Sequence, residues 1–126
     1  METPRLIAID DVRLAAPPDL ATQVAEFYTT VIGLRIVAPR PEEPTLIFRG
    51  YSAVKPRLVV ELTAEPQASL RGLVQVQVAS LEPAQEKVVK RGLEAWSTQN
   101  LSFFDRRLTI LDPAGNRVEL VAYHLV

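Results

Sequence analysis

Cysteine is absent from this 126-residue chain, and histidine and tryptophan each occur only once. Without cysteine the protein has no disulfide, no thiolate nucleophile and no cysteine-ligated metal. The single histidine, His124, lies at the chain terminus, which argues against Ser-His-Asp catalysis. No apolar run is long enough to span a bilayer, and the first residues lack a signal-peptide pattern. We therefore expect a soluble, cytoplasmic protein with no membrane partner.

A surplus of one charge is also missing. The chain has 14 basic and 15 acidic residues, which gives a formal net charge of −1. Nucleic-acid binding needs clustered surplus cations, so we expect no nucleic-acid partner. The adjacent basic pair Arg106-Arg107 is expected at a solvated strand end. The hydrophobic fraction of 48% is sufficient for the core of one domain spanning residues 1–126.

The first half of the chain is predicted to be β-α-β-β-β. Apolar residues from Leu20 to Val31 recur on one helical face, with Asp19 as a candidate N-cap and Gly33 after the helix end. The alternation of apolar and polar residues predicts the strands. These are Leu6 to Leu14, Leu34 to Ala38, Thr45 to Gly50 and Arg57 to Thr63.

The second half repeats this order. Leu73 to Val78 alternates strictly and predicts a strand, and Ser80 is the candidate N-cap of a helix that runs to about Arg91. Further strands are predicted at Leu93 to Trp96, Phe103 to Leu111 and Arg117 to Tyr123, the last two joined by the turn Asp112-Pro-Ala-Gly-Asn116. Module one therefore spans about 5–63, a linker 64–71, and module two about 72–124.

Two strand acids, Glu61 and Glu119, lie 58 residues apart in corresponding places of the two halves. Carboxylates brought together by such a duplication repel each other unless a cation, a proton or an arginine lies between them. Arg13 could supply that arginine, because it shares a strand face with Asp11. If no metal is present, Glu119→Gln should leave the fold intact or stabilise it, because a like-charge repulsion is relieved.

Four segments carry a family resemblance: Ile9-Asp-Asp-Val-Arg-Leu14, Phe27-Tyr28 with Ile32-Gly-Leu34, Val60-Glu-Leu-Thr63, and Asp112-Pro-Ala-Gly-Asn-Arg-Val-Glu-Leu120. In this order and spacing the chain resembles the glyoxalase/bleomycin-resistance/extradiol-dioxygenase (vicinal oxygen chelate) superfamily, with glyoxalase I-like members most similar. The resemblance implies an α+β fold in which paired βαβββ modules form a curved mixed sheet around a cleft. It also implies a homodimer.

Metal-dependent members of the superfamily take one ligand from the first strand and one from the last strand of each module. In this chain those positions fall on Asp11, Glu61, Leu73 and Glu119. Glu61 and Glu119 match the family pattern, whereas Asp11 and Leu73 replace the usual histidine or other ligand. An oxygen set of Asp11, Glu61 and Glu119 would favour Mn²⁺, Mg²⁺ or Ca²⁺ over Zn²⁺ or Ni²⁺.

Two functions follow from the resemblance. The first is a metal-assisted lyase or isomerase in which Glu61 and Glu119 ligate the ion and one of them moves a proton. The second is a metal-free binding or resistance protein that sequesters a drug or metabolite, with no cofactor. An acid–base enzyme using a glutamate alone is a lesser alternative. The candidate ligand-binding residues are Arg13, Arg49, Tyr51, Gln75, Gln77, Trp96 and Phe103.

Overall fold

The computed structural model describes residues 4–8, 11–37, 44–50, 56–64, 72–99 and 105–123. Within these ranges, strands and helices follow the order that the sequence predicts for two β-α-β-β-β modules, except that two strands precede the first helix. The strands are β1 (Arg5–Leu6), β2 (Val12–Ala16), β3 (Arg35–Val37), β4 (Thr45–Arg49), β5 (Arg57–Leu62), β6 (Leu73–Gln77), β7 (Ala95–Gln99), β8 (Asp105–Leu111) and β9 (Arg117–Tyr123), and the helices are α1 (Ala21–Glu26) and α2 (Glu82–Arg91).

The strands form two mixed sheets, which confirms the predicted α+β class. The first sheet has the order β2-β5-β4-β3 and the second sheet the order β1-β6-β9-β8-β7. In each module the first strand pairs in parallel with the last, β2 with β5 and β6 with β9. The remaining pairs are antiparallel. The two halves of the chain therefore share one topology.

The prediction of a single N-terminal strand is wrong, because this segment serves both sheets. Arg5–Leu6 pairs with β6 of the second sheet, whereas Val12–Ala16 pairs with β5 of the first sheet. The crossing brings the backbone of residue 4 close to Gly50, where a Cβ would lie 2.9 Å from the Pro4 carbonyl oxygen. Only glycine allows this approach of two backbones.

The first helix also differs from its prediction. Asp19 lies in a 3₁₀ turn (Pro18–Leu20) and makes no capping hydrogen bond, so the predicted N-cap is wrong. The helix then widens into a π-helical segment (Phe27–Ile32), which ends at Gly33 with φ of 91°. The wider turn allows consecutive residues Phe27 and Tyr28 both to be buried. Their rings meet edge to face at 4.9 Å.

If Ser80 were the N-cap, the second helix would begin at Leu81. It begins one residue later, at Glu82. Leu81 occupies the N-cap position, and the Ser80 hydroxyl instead donates to the Glu82 carboxylate. This hydrogen bond lowers the pKa of Glu82. Gly92 ends the helix with φ of 63°, as predicted.

One hydrophobic core joins the modules. The core side of the first sheet (Leu14, Phe48, Leu58, Val60) and that of the second sheet (Val74, Val76, Leu108, Ile110, Leu120) belong to a single buried cluster that includes side chains of both helices. The opposite sides of both sheets therefore point away from this core. We call them the polar face; it carries Arg13, Arg57 and Glu61 on the first sheet and Gln75, Arg107 and Glu119 on the second.

The turn between β8 and β9 is organised by Asp112, which is buried. Its carboxylate accepts a hydrogen bond from the Tyr28 hydroxyl at 2.7 Å, and from the backbone N–H groups of Ala114 at 2.9 Å and Asn116 at 2.8 Å. Tyr28 belongs to module one and the turn to module two. The motif Asp112-Pro-Ala-Gly-Asn116 therefore connects the modules as well as reversing the chain.

Asn116 completes the connection between the sheets. Its side-chain N–H donates to the Ala15 carbonyl oxygen of β2 at 3.0 Å, and its side-chain oxygen accepts from the Gly72 N–H at 3.1 Å. Both bonds satisfy backbone groups at the seam between the two sheets. The buried amide thus replaces the strand pairing that is missing there.

We predict that Asp112→Ala lowers the free energy of unfolding by about 2–4 kcal/mol, because it leaves several buried donors without an acceptor. Tyr28→Phe removes only one of these hydrogen bonds and should cost about 1 kcal/mol. Urea unfolding of both variants measures the difference. Equal losses would show that Asp112 does not organise the turn.

Alkaline pH provides a second test of this contact. Burial, followed by the charge and hydrogen bond of Asp112, raises the pKa of Tyr28 well above its ordinary value of 10.0. The unfolded chain then loses this proton at lower pH than the folded chain, so stability falls as pH rises above about 10. Tyr28→Phe should show a shallower fall in urea-unfolding free energy over this range. Identical slopes would contradict the assignment.

Candidate functional site

The acids at the positions implied by the family resemblance all lie within the described residues, and each contacts an arginine. Asp11 pairs with Arg57, Glu61 with Arg13, and Glu119 with Arg107. Repulsion between carboxylates can be relieved by a cation, a proton or an arginine. The structure shows an arginine beside each of these acids.

Asp11 is held in a fork by Arg57. Its carboxylate accepts from Nη2 at 2.7 Å, from Nε at 3.1 Å and from the Arg57 backbone N–H at 3.0 Å. These hydrogen bonds, together with the negative charge of Asp11, raise the pKa of Arg57. Because Val12 pairs with Leu58, Asp11 lies opposite Arg57 and not opposite Glu61. Glu61 is four residues further along β5, roughly 13 Å away at about 3.3 Å per residue.

Glu61 instead lies near Arg13. The Nη1 of Arg13 donates to Oε1 of Glu61 at 3.0 Å, which confirms that this arginine reaches a carboxylate of the polar face. Both side chains are exposed, at 67% for Arg13 and 53% for Glu61. Such a solvated ion pair contributes little to stability.

Glu119 is the most enclosed of the three acids, with 16% of its side chain exposed. Its Oε1 accepts from Arg107 Nη1 at 2.7 Å and from Gln75 Nε2 at 3.0 Å. Arg107 reaches it diagonally from β8, since Thr109 is directly opposite Glu119. Arg107 lies near the start of β8 with 35% of its side chain exposed, and its guanidinium contacts Glu119, which the sequence did not predict. Alternate residues of a strand share a face, so Arg107 lies on the same face as Thr109, the residue opposite Glu119. The hairpin sequence could therefore have predicted this contact.

The predicted metal set is not assembled. Among the described residues, no three His, Cys, Asp or Glu side chains form a group that could hold a metal ion. Asp11 lies far along the strand from Glu61, and Leu73 has no donor atom. All three carboxylates are engaged by guanidinium groups. This donor arrangement does not fit a divalent ion, which needs several oxygens converging on one point.

The other predicted ligand-binding residues are spread over the polar face. Gln75 contacts Glu119, and Gln77 is half-buried two residues further along the same face of β6. Arg49 is half-buried opposite Arg57. Trp96 is exposed on β7, in the same row as Thr109 and Glu119. Tyr51 and Phe103 lie outside the described residues.

A hollow of about 530 Å³ opens at one end of this face on the second sheet. Leu73, Arg117 and Leu111 lie side by side across β6, β9 and β8, and Trp96 stands in the next row. The volume is within the usual range for small-molecule sites. We call it the Trp96 hollow; its lining residues are Gly72, Leu73, Trp96, Leu111, Gly115 and Arg117.

A second cavity of about 550 Å³ lies on the other side of the β8–β9 turn. Phe27, Val31, Leu93 and Leu111 give it apolar walls. The ion pair between Arg91 and Glu26, 2.7 Å long, stands among its lining residues. No motif in the sequence pointed to this cavity, because its lining comes from both modules and from helix ends.

Neither a protein-family model nor a curated protein sequence matches the chain. Solved structures do match. A glyoxalase family protein from Bacillus anthracis superposes with a TM-score of 0.73 at 21% identity, covering 92% of this chain and 94% of that one. A lactoylglutathione lyase from Agrobacterium tumefaciens gives a TM-score of 0.68 at 20% identity, covering 92% and 93%.

A third similar structure belongs to a protein named for binding. TnmS3, an antibiotic binding protein from Streptomyces sp. CB03234, has a TM-score of 0.67 at 22% identity over 93% of this chain and 98% of that one. The chain therefore has the fold of the glyoxalase/bleomycin resistance/dioxygenase superfamily, which confirms the resemblance at the level of fold. In the described part of the chain, none of the helices has the length and apolarity to cross a membrane.

The arginine contacts reverse the expected sign of the stability change for one substitution. We predict that Glu119→Gln lowers the free energy of unfolding by about 1–3 kcal/mol, because it replaces the carboxylate that accepts the charge-assisted hydrogen bond of the partly buried Arg107 by a neutral amide. Glu61→Gln is the matched control: it breaks an exposed pair and should change stability by less than about 0.5 kcal/mol.

Urea unfolding of the purified, chelator-treated proteins measures both changes. A Glu119→Gln variant as stable as the parent would mean that carboxylate repulsion, and not the ion pair with Arg107, dominates at this position.

Proposed function

We propose that this protein binds a small organic molecule on its polar face without the help of a metal ion, and that the Trp96 hollow is the binding site. The observation that carries the proposal is the arginine on each acid of the implied metal set. A carboxylate that accepts from a guanidinium attracts a divalent cation less strongly, because part of its charge is already balanced. What the face offers a ligand is a hollow with apolar walls beside a hydrogen-bonding floor.

The Trp96 hollow is favoured over the second cavity because it opens on the polar face, where the acids of the implied metal set lie. Leu73 and Leu111 provide apolar contact, Trp96 a flat ring, and Arg117 a charge. Gln75 and Glu119 lie in the adjacent row of the same face. Polar groups at the edge of an apolar hollow are what orients a ligand.

A metal-assisted lyase or isomerase has less support. For Glu61 and Glu119 to ligate one ion, Arg13 and Arg107 would have to leave them, and no donor stands at Leu73. The superfamily fold occurs both in a lactoylglutathione lyase and in an antibiotic binding protein, so it is compatible with either function. The arrangement of donors in this chain favours the binding function, in which a drug or metabolite is sequestered unchanged.

A homodimer and a cytoplasmic location remain predictions. Sedimentation velocity measures the first.

We predict that excess Mn²⁺, Mg²⁺, Ca²⁺ or Ni²⁺ leaves the melting temperature unchanged, and that protein purified without chelator contains no stoichiometric metal. A bound ion would add about 2.7 kcal/mol of stability at a hundredfold excess over its Kd, which a thermal melt detects. Elemental analysis and melts with and without EDTA test this. A melting temperature that rises by several degrees with one ion and falls again with EDTA would contradict metal independence.

A further inference from the structure

We propose that the ligand of the Trp96 hollow is an organic anion. Its flat apolar body lies against Trp96 and Leu73, and its carboxylate or similar acidic group binds Arg117. This inference rests on the proposed binding function and adds to it the chemical class of the ligand.

The charge of Arg117 is available to a ligand. Arg13, Arg57 and Arg107 of the same face each hold an acid, but Arg117 is exposed and has no ion pair with any residue that the structure describes. Arg117 also lies in the hollow itself, which the three paired arginines do not line. The net charge of the whole chain is −1, so this cation does not reflect a generally basic surface.

The neighbours of Arg117 strengthen this preference. Strand register places Leu73 on one side of Arg117 and Leu111 on the other. An ion pair formed between apolar side chains is screened less by water than one on an open surface. The planar guanidinium also matches a carboxylate with two parallel hydrogen bonds.

The apolar part of the ligand follows from two exposed side chains. Leu73 is 50% exposed and Trp96 45%, and both line the same hollow. Large apolar side chains left exposed together beside a cavity indicate a binding surface. An indole ring favours a flat partner, because stacking adds to the burial of area.

Trp96 is the only tryptophan of the chain and lines this hollow, so a probe that binds there quenches its fluorescence. The test uses two probes with the same aromatic body, the anion 8-anilinonaphthalene-1-sulfonate and its uncharged analogue N-phenyl-1-naphthylamine, which lacks the sulfonate. Both accept energy from tryptophan. We expect the anion to quench Trp96 with a Kd at least about tenfold lower, since charge-assisted hydrogen bonds favour it by that order.

Two substitutions that each remove one positive charge distinguish binding in the hollow from a general electrostatic effect. Arg117→Gln should abolish the preference for the anion, whereas Arg35→Gln, which removes an exposed arginine from the edge strand of the other sheet, should keep it. Leu73→Ala should weaken the binding of both probes. Arg91→Gln reports on the second cavity and should have no effect.

The outcomes separate the two proposals. Equal affinity for both probes, or a preference that survives Arg117→Gln, would overturn the organic anion while leaving the binding function in place. A preference that is lost with Arg91→Gln instead would move the site to the second cavity and overturn the inference. Trp96 emission that responds to neither probe would overturn the inference and count against the Trp96 hollow as the binding site.

Discussion

The parallel pairing of the first and last strands in each module determines which side chains meet on the polar face. In module one, Ala15 is directly opposite Glu61, and Arg13 reaches the carboxylate diagonally. In module two, Gln75 takes the place opposite Glu119 and donates to it. Cross-strand neighbours interact within a few ångströms, so a shift of two residues in either pairing would exchange every one of these contacts. The electrostatics of the site depend on this register.

The same register explains how a fold shared with a lactoylglutathione lyase can hold a different kind of site. Glutamates at corresponding places of two modules invite a cation, and a protein can supply it as a metal or as its own arginines. Here the arginines belong to the chain. They come from different strands: Arg13 from the first strand of its module, Arg107 from the third. In the proposed function, the acids paired with arginine leave ligand recognition to the hollow beside them, where Arg117 and Trp96 lie.

Much of this architecture could be predicted from the sequence, because local patterns determine it. Alternation in β6 and β9 correctly separated Val74 and Val118 from Gln75 and Glu119. The repeat of Glu61 as Glu119 pointed to two modules, and Gly33 and Gly92 marked the helix ends.

The features that could not be predicted depend on where a residue lies along its strand, and not on which face of the sheet its side chain occupies. Period two places Asp11 and Glu61 on one side of a sheet, but only the pairing shows that Asp11 is opposite Arg57. The division of the N-terminal strand between two sheets has the same origin, because no local pattern says which neighbour a strand will pair with. Arg107 was missed because its partner lies across a hairpin, and the Trp96 hollow because its walls come from four strands.

The central claim is that an arginine, and not a metal ion, holds the carboxylate of Glu119. A double-mutant cycle tests it most directly: Arg107→Gln, Glu119→Gln and the double variant are unfolded in urea with EDTA present. The account predicts a favourable coupling energy of about 1–3 kcal/mol between the two side chains, as for a partly buried, hydrogen-bonded ion pair. Additive effects, within about 0.3–0.5 kcal/mol, would contradict it.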